Sequence, residues 1–127
     1  MLQHYLLTLV FAVICALQVQ PTAAASSQTI EHIVIIWLKQ PGNTDAQNTI
    51  IKASQALKTI PGVMALKSGK AVPSQRTVVD SSFDVALIIS LAGQTALDAY
   101  LTHPVHLQLL KETIKPLVDR FRVYDLK

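Results

Sequence analysis

The sequence predicts an α+β domain in which four antiparallel strands form one sheet and helices cover one of its faces. Three observations point there. Short runs rich in Ile and Val follow a period of two, whereas the stretches between the first two and the last two follow a helical period. The order of these segments is strand, helix, strand, strand, helix pair, strand. The chain has 127 residues, room for one domain and no more.

The first quarter reads differently from the rest. No Asp, Glu, Lys or Arg precedes Glu31, and Tyr5 to Val19, "YLLTLVFAVICALQV", is almost unbroken apolar sequence. A membrane-spanning helix needs about 20 such residues. Gln18, Gln20 and Pro21 end this run too early. Small residues follow, and Ala23-x-Ala25 has the form that a signal peptidase cuts. Residues 1–25 are therefore expected to be a signal peptide and residues 26–127 the domain, exported to a periplasmic or extracellular space. A retained anchor is the alternative, since "MLQHY" carries neither Lys nor Arg. Cys15 is the only cysteine, so the exported part would hold no disulfide, no thiolate metal site and no cysteine nucleophile.

The first strand is expected over Thr29–Lys39. His32, Val34, Ile36 and Leu38 share one face, and Ile33, Ile35 and Trp37 the other. "QPGNT" ends it. A helix follows, because Ala46, Ile50, Ala53, Leu57 and Ile60 recur at steps of four and three. Asn43 or Thr44 is placed to cap it, Asp45 suits its first turn, and Pro61-Gly62 stops it. A short strand is expected from Val63 to Ser68, then a loop with a brief edge strand at Thr77–Val79, where Pro73 disfavours a central position. Phe83–Leu91 is a second strong strand that alternates cleanly. A short helix spans Gln94 to about Leu101, another runs from Pro104 to Lys115, and Arg120–Leu126 closes as a strand.

This order is the split β-α-β arrangement of ferredoxin-like type. Such an open sheet is covered by helices on one face only, so the other should be polar in a monomer. Here the first and third strands are apolar on both faces. The expected cover is a second copy, sheet against sheet, in a homodimer. The net charge of +3 is spread along the chain and mixed with Asp and Glu, without the basic cluster of a nucleic-acid binder.

Taken together, "EHIVIIWLK" at 31–39, "IPGV" at 60–63, "FDVALIISL" at 83–91, "DAYLTHPVH" at 98–106 and "VYD" at 123–125 resemble the stress-responsive A/B barrel family. The resemblance runs from Thr29 to Leu126, and its Y-x-x-H-P-x-H element is the most specific part. It implies a dimeric α/β barrel in which two ferredoxin-like sheets enclose an apolar interior. In one plant branch, the olivetolic acid cyclases, a working tyrosine and histidine resemble Tyr100 and His106, and a pocket histidine resembles His32. Asp84 also resembles the family pattern, although a solvated carboxylate at a strand end is its plainer role.

Candidate site residues follow. Tyr100 and His106 are candidates for catalysis, the phenol hydrogen-bonding a carbonyl while a neutral imidazole removes a proton. His32, Val34, Tyr100 and His106 are candidates for binding a small apolar ligand. A core pair that only pins helices to the sheet remains open for Tyr100 and His106. His103 precedes Pro104 and suits a helix corner better than a metal site, even with His106 and His32 within reach and Asp98 as a candidate support. No metal and no cofactor is expected. Two functions remain: a non-catalytic dimer holding a small apolar molecule, or a cyclase- or lyase-type enzyme. Trp37 is expected to pack in the dimer.

Overall fold

The structure, a computed structural model, describes residues 28–127; the expected signal peptide lies outside the described residues. Strand β1 (Ile30–Leu38) leads to helix α1 (Thr44–Ser54) and a 3-10 turn at Gln55–Thr59. Strands β2 (Val63–Lys70) and β3 (Val85–Leu91) follow, then helices α2 (Gln94–Thr102) and α3 (Pro104–Leu109). A π-helical turn at Leu110–Ile114, one turn of α4 (Lys115–Leu117) and strand β4 (Val118–Leu126) complete the chain. The strands form one sheet in the order β2-β3-β1-β4 with every neighbouring pair antiparallel. This is the ferredoxin-like fold that the element order implied.

The period of two sorts the sheet into two surfaces. Ile30, His32, Ile36 and Leu38 of β1 and Val85, Leu87, Ile89 and Leu91 of β3 are buried beneath the helices. Ile50, Leu57, Ile60, Leu97, Tyr100, Leu109 and Ile114 close the core from the helical side. On the outer surface Ile33, Ile35 and Trp37 lie beside Ala86 and Ile88, half-buried only by one another and their neighbours. Arg120 stacks over the Trp37 ring at 3.9 Å. The apolar outer face therefore exists, with charged residues along its β4 edge.

Local chemistry sets the ends. The Asn43 carboxamide accepts from the Ala46 N–H at 3.0 Å and caps α1. Gly62 turns the chain with φ +88°, and a Cβ there would meet the Ala96 Cβ at 2.7 Å, so both backbone and space require glycine.

Five expectations change. Thr77–Val79 is not an edge strand: Val79 N–H donates to the Arg76 carbonyl at 3.0 Å in a turn. The α1 period holds to Ile60, but regular helix ends at Ser54 and the chain tightens into the 3-10 turn. The expected 104–115 helix opens into the π-turn after Leu109, and β4 begins at Val118 rather than Arg120. Asp84 is not a solvated strand-end carboxylate. It is 5% exposed and accepts from the Leu38 N–H at 2.8 Å and the Gly42 N–H at 2.6 Å. The Gln47 amide reaches it at 3.4 Å. One carboxylate thus ties the end of β1, the turn after it and α1 to the start of β3.

Asp84→Ala removes the acceptor from two N–H groups, and a charged hydrogen bond lost in a buried place costs about 1.5–3 kcal/mol. Urea unfolding should show Asp84→Ala destabilised by at least this much, with the slope unchanged.

Candidate functional site

Helix α2 stops where its backbone must. His103 adopts extended geometry (φ −67°, ψ 137°) ahead of Pro104, which starts α3. The His103 N–H still donates to the Tyr100 carbonyl at 3.1 Å, and its own carbonyl receives the Leu107 N–H at 3.0 Å. Its Nδ1 accepts from the Val105 N–H at 3.2 Å. His103 is the hinge of the corner and caps α3.

The corner decides where His106 points. In a continuous helix two residues six apart are rotated by about 240° and face apart. Here the ring of His106 lies 4.6 Å from that of Tyr100, tilted by 40°. The His32 ring of β1 meets the Tyr100 ring nearly edge-on at 5.5 Å and 65°. Three rings from three elements thus meet at Tyr100. Behind them Asp125 of β4, directly opposite His32 in the sheet register, places Oδ1 2.6 Å from His32 Nδ1. His32 is buried, while the Asp125 side chain keeps 46% exposure.

Hydrogen bonding fixes the ring tautomers. His106 Nδ1 lies 3.1 Å from the Leu101 carbonyl, which only accepts, so Nδ1 carries the proton. A neutral His106 then has its lone pair on Nε2. Burial holds this imidazole below the ordinary histidine range, with the nearby His32 pushing the same way and the Leu101 bond opposing. Asp125 likewise accepts from His32 Nδ1–H. Burial pushes the Tyr100 phenol up to about 12, so it stays protonated and able to donate. Among the described residues its hydroxyl has no hydrogen-bond partner, and no fully sealed side-chain polar atom is left unsatisfied.

Tyr100 lines a small cavity of about 40 Å³ between sheet and helices. Val34, Leu87, Tyr100, His106, Leu110 and Phe121 are among its walls. Of the four ligand-binding candidates, Val34, Tyr100 and His106 line it, and His32 is in ring contact with Tyr100. Asp98 turns away and accepts from Gln94 at 2.9 Å. Among the described residues no three His, Cys, Asp or Glu are grouped so as to hold a metal ion. Asp125 had no distinguishing mark as a site residue. Its partner becomes visible only through the β1–β4 register.

A histidine whose folded pKa is depressed binds its proton more weakly folded than unfolded. Its contribution is complete above the unfolded value and is lost as pH falls through the ordinary imidazole range. Thermal melts between about pH 7 and pH 5 should therefore show wild type losing stability that His106→Gln does not lose.

Known proteins share this architecture. A structure from Mesorhizobium loti, described as a Dabb family protein with a ferredoxin-like fold, superposes with TM-score 0.64 at 22% identity, covering 78% of this chain and 95% of that one. A hydroxynitrile lyase from Passiflora edulis superposes with TM-score 0.66 at 19% identity, covering 78% and 92%. A stress-response A/B barrel domain-containing protein of Arabidopsis thaliana is 25% identical over 107 residues, 84% of this chain. The match spans 40% of that relative's length. The pattern of the Stress responsive A/B Barrel Domain matches residues 30–127, and the chain belongs to that family.

Proposed function

We propose that the protein is an exported homodimer that binds a small, mainly apolar molecule bearing a hydrogen-bond acceptor. The observation that carries the ligand reading is Tyr100, whose protonated hydroxyl has no hydrogen-bond partner among the described residues and whose side chain lines an apolar cavity. A cavity of about 40 Å³ is far below the roughly 300–1,000 Å³ of whole small-molecule sites, so only the acceptor end of the bound molecule enters it and takes that donor, against Val34, Leu87 and Phe121.

The homodimer rests on the outer sheet face. Ile33, Ile35, Trp37 and Ile88 form an apolar centre flanked by Lys67, Arg120 and Arg122. An apolar centre with a charged rim is the anatomy of an interface. Each large aliphatic side chain buried there adds about 1.5–3 kcal/mol before the cost of association. Similar folds from Thermobifida fusca and Bacteroides fragilis are described as dimeric. Export rests on the apolar run before Ala23-x-Ala25, and N-terminal sequencing of the exported protein reads it directly.

A second reading, lyase- or cyclase-type catalysis, is favoured by the tautomer of His106. Its Nε2 lone pair beside a donating phenol forms an acid–base pair suited to a carbonyl substrate, Tyr100 holding the oxygen and His106 taking a neighbouring proton. The Passiflora edulis neighbour is a lyase.

Native mass spectrometry of the protein as purified should show a dimer carrying an organic molecule that Tyr100→Phe and His106→Ala release. Their melting temperatures should stay close to wild type. If neither variant changes what is bound and His106→Ala instead costs about 1–3 kcal/mol, the rings are only a structural corner. Ile35→Lys should give monomer or aggregate; unmodified protein that is monomeric at micromolar concentration by light scattering removes the dimer.

A further inference from the structure

We propose that an open groove beside the ring cavity binds the hydrocarbon tail and carboxylate of an acyl-chain anion. The groove has a volume of about 670 Å³ and runs between the 107–115 helical segment and the start of β4. That is within the range of about 300–1,000 Å³ typical of small-molecule sites. Leu107, Leu110, Ile114, Val118 and Phe121 supply an apolar floor. Leu107 is 50% exposed and Phe121 51%, a wide apolar strip for a chain this short.

Two further features shape it. Leu110 and Ile114, four residues apart, share one wall, and they bound a π-turn in which Lys115 N–H bonds back to the Leu110 carbonyl. Such turns interrupt regular helices most often at functional sites. Leu110, Ile114 and Phe121 also line the ring cavity, so the two spaces meet across these three side chains.

Charge selects the ligand. Lys111 and Lys115 stand exposed at the rim, and among the described residues the only ion pair is that of His32 with Asp125, so neither lysine has a carboxylate partner. Asp119 is the one acidic residue on the wall, and Arg120 is drawn over Trp37 on the outer face. An apolar trough with two unpaired ammonium groups fits a chain whose one polar end is anionic. The carboxylate sits at Lys111 and Lys115, and the tail lies on Leu107, Leu110 and Phe121 with its far end toward Tyr100. This last placement rests on the ligand reading of the ring cavity; the groove and its lysines do not.

Calorimetric titration of the purified protein with decanoate, decylamine and 1-decanol tests this. Decanoate should bind saturably, and decylamine about tenfold more weakly. Lys111→Ala combined with Lys115→Ala should weaken decanoate about tenfold and leave 1-decanol unchanged. Leu107→Asp, at an exposed position, should abolish both. Equal binding of decanoate and decylamine, no effect of the lysine pair, or no saturable binding of decanoate overturns the proposal. A second copy seated in the groove gives the last of these, with Leu107→Asp dissociating the dimer. Tyr100→Phe keeps the proposals apart, since failure of the ring cavity leaves the lysine dependence of decanoate intact.

Discussion

Everything at the site depends on one steric fact, that proline's ring drives the preceding residue out of helical geometry. His103 becomes extended, α2 ends, and α3 starts in a new direction within a single residue. The break costs little, because backbone bonds to Tyr100 and from Leu107, together with the imidazole cap, satisfy the groups it would orphan. What it achieves is rotation. His106 comes back over Tyr100, where continuous helix would have sent it to the far side.

The sheet supplies the opposing wall and the electrostatics. β1 must hold His32 under Tyr100, and it is fixed at its far end by the buried Asp84 carboxylate, which gathers Leu38, Gly42 and Gln47. The two acid-dependent contacts differ in kind. Asp84 is 5% exposed and holds backbone, whereas Asp125 is half open to solvent and orients a ring. The first shapes the scaffold; the second sets which nitrogen of His32 carries its proton.

Most of the fold was legible because its signals are local. Alternation along Ile30–Leu38 and Val85–Leu91, the Asn43 cap and the Pro61-Gly62 stop each depend on a few neighbouring residues. Tyr100, His106 and Val34 were legible as members of one motif and one strand face. The rest depends on distant partners. Asp84 looks like an exposed acid until the Leu38 and Gly42 amides are brought to it from more than 40 positions earlier. The π-turn is announced only by Pro116, which has no N–H to give the Glu112 carbonyl, and that signal does not say the ladder will widen rather than stop. Asp125 requires the exact pairing of β1 with β4, which the alternation of either strand leaves undetermined by two-residue steps.

Strand β4 lies at the edge of the sheet and pairs with β1 alone. Beyond Val118 all its residues are exposed, so little core holds it down. Opening free energies vary across a folded protein, and an edge strand with few buried side chains sits at their low end. When the 122–126 end of β4 parts from β1, Asp125 leaves with it, and the buried His32 ring loses its hydrogen-bond acceptor while the rest of the core stays closed. The contact between His32 and Asp125 therefore depends on a local opening of β4 that is shallower than unfolding of the domain.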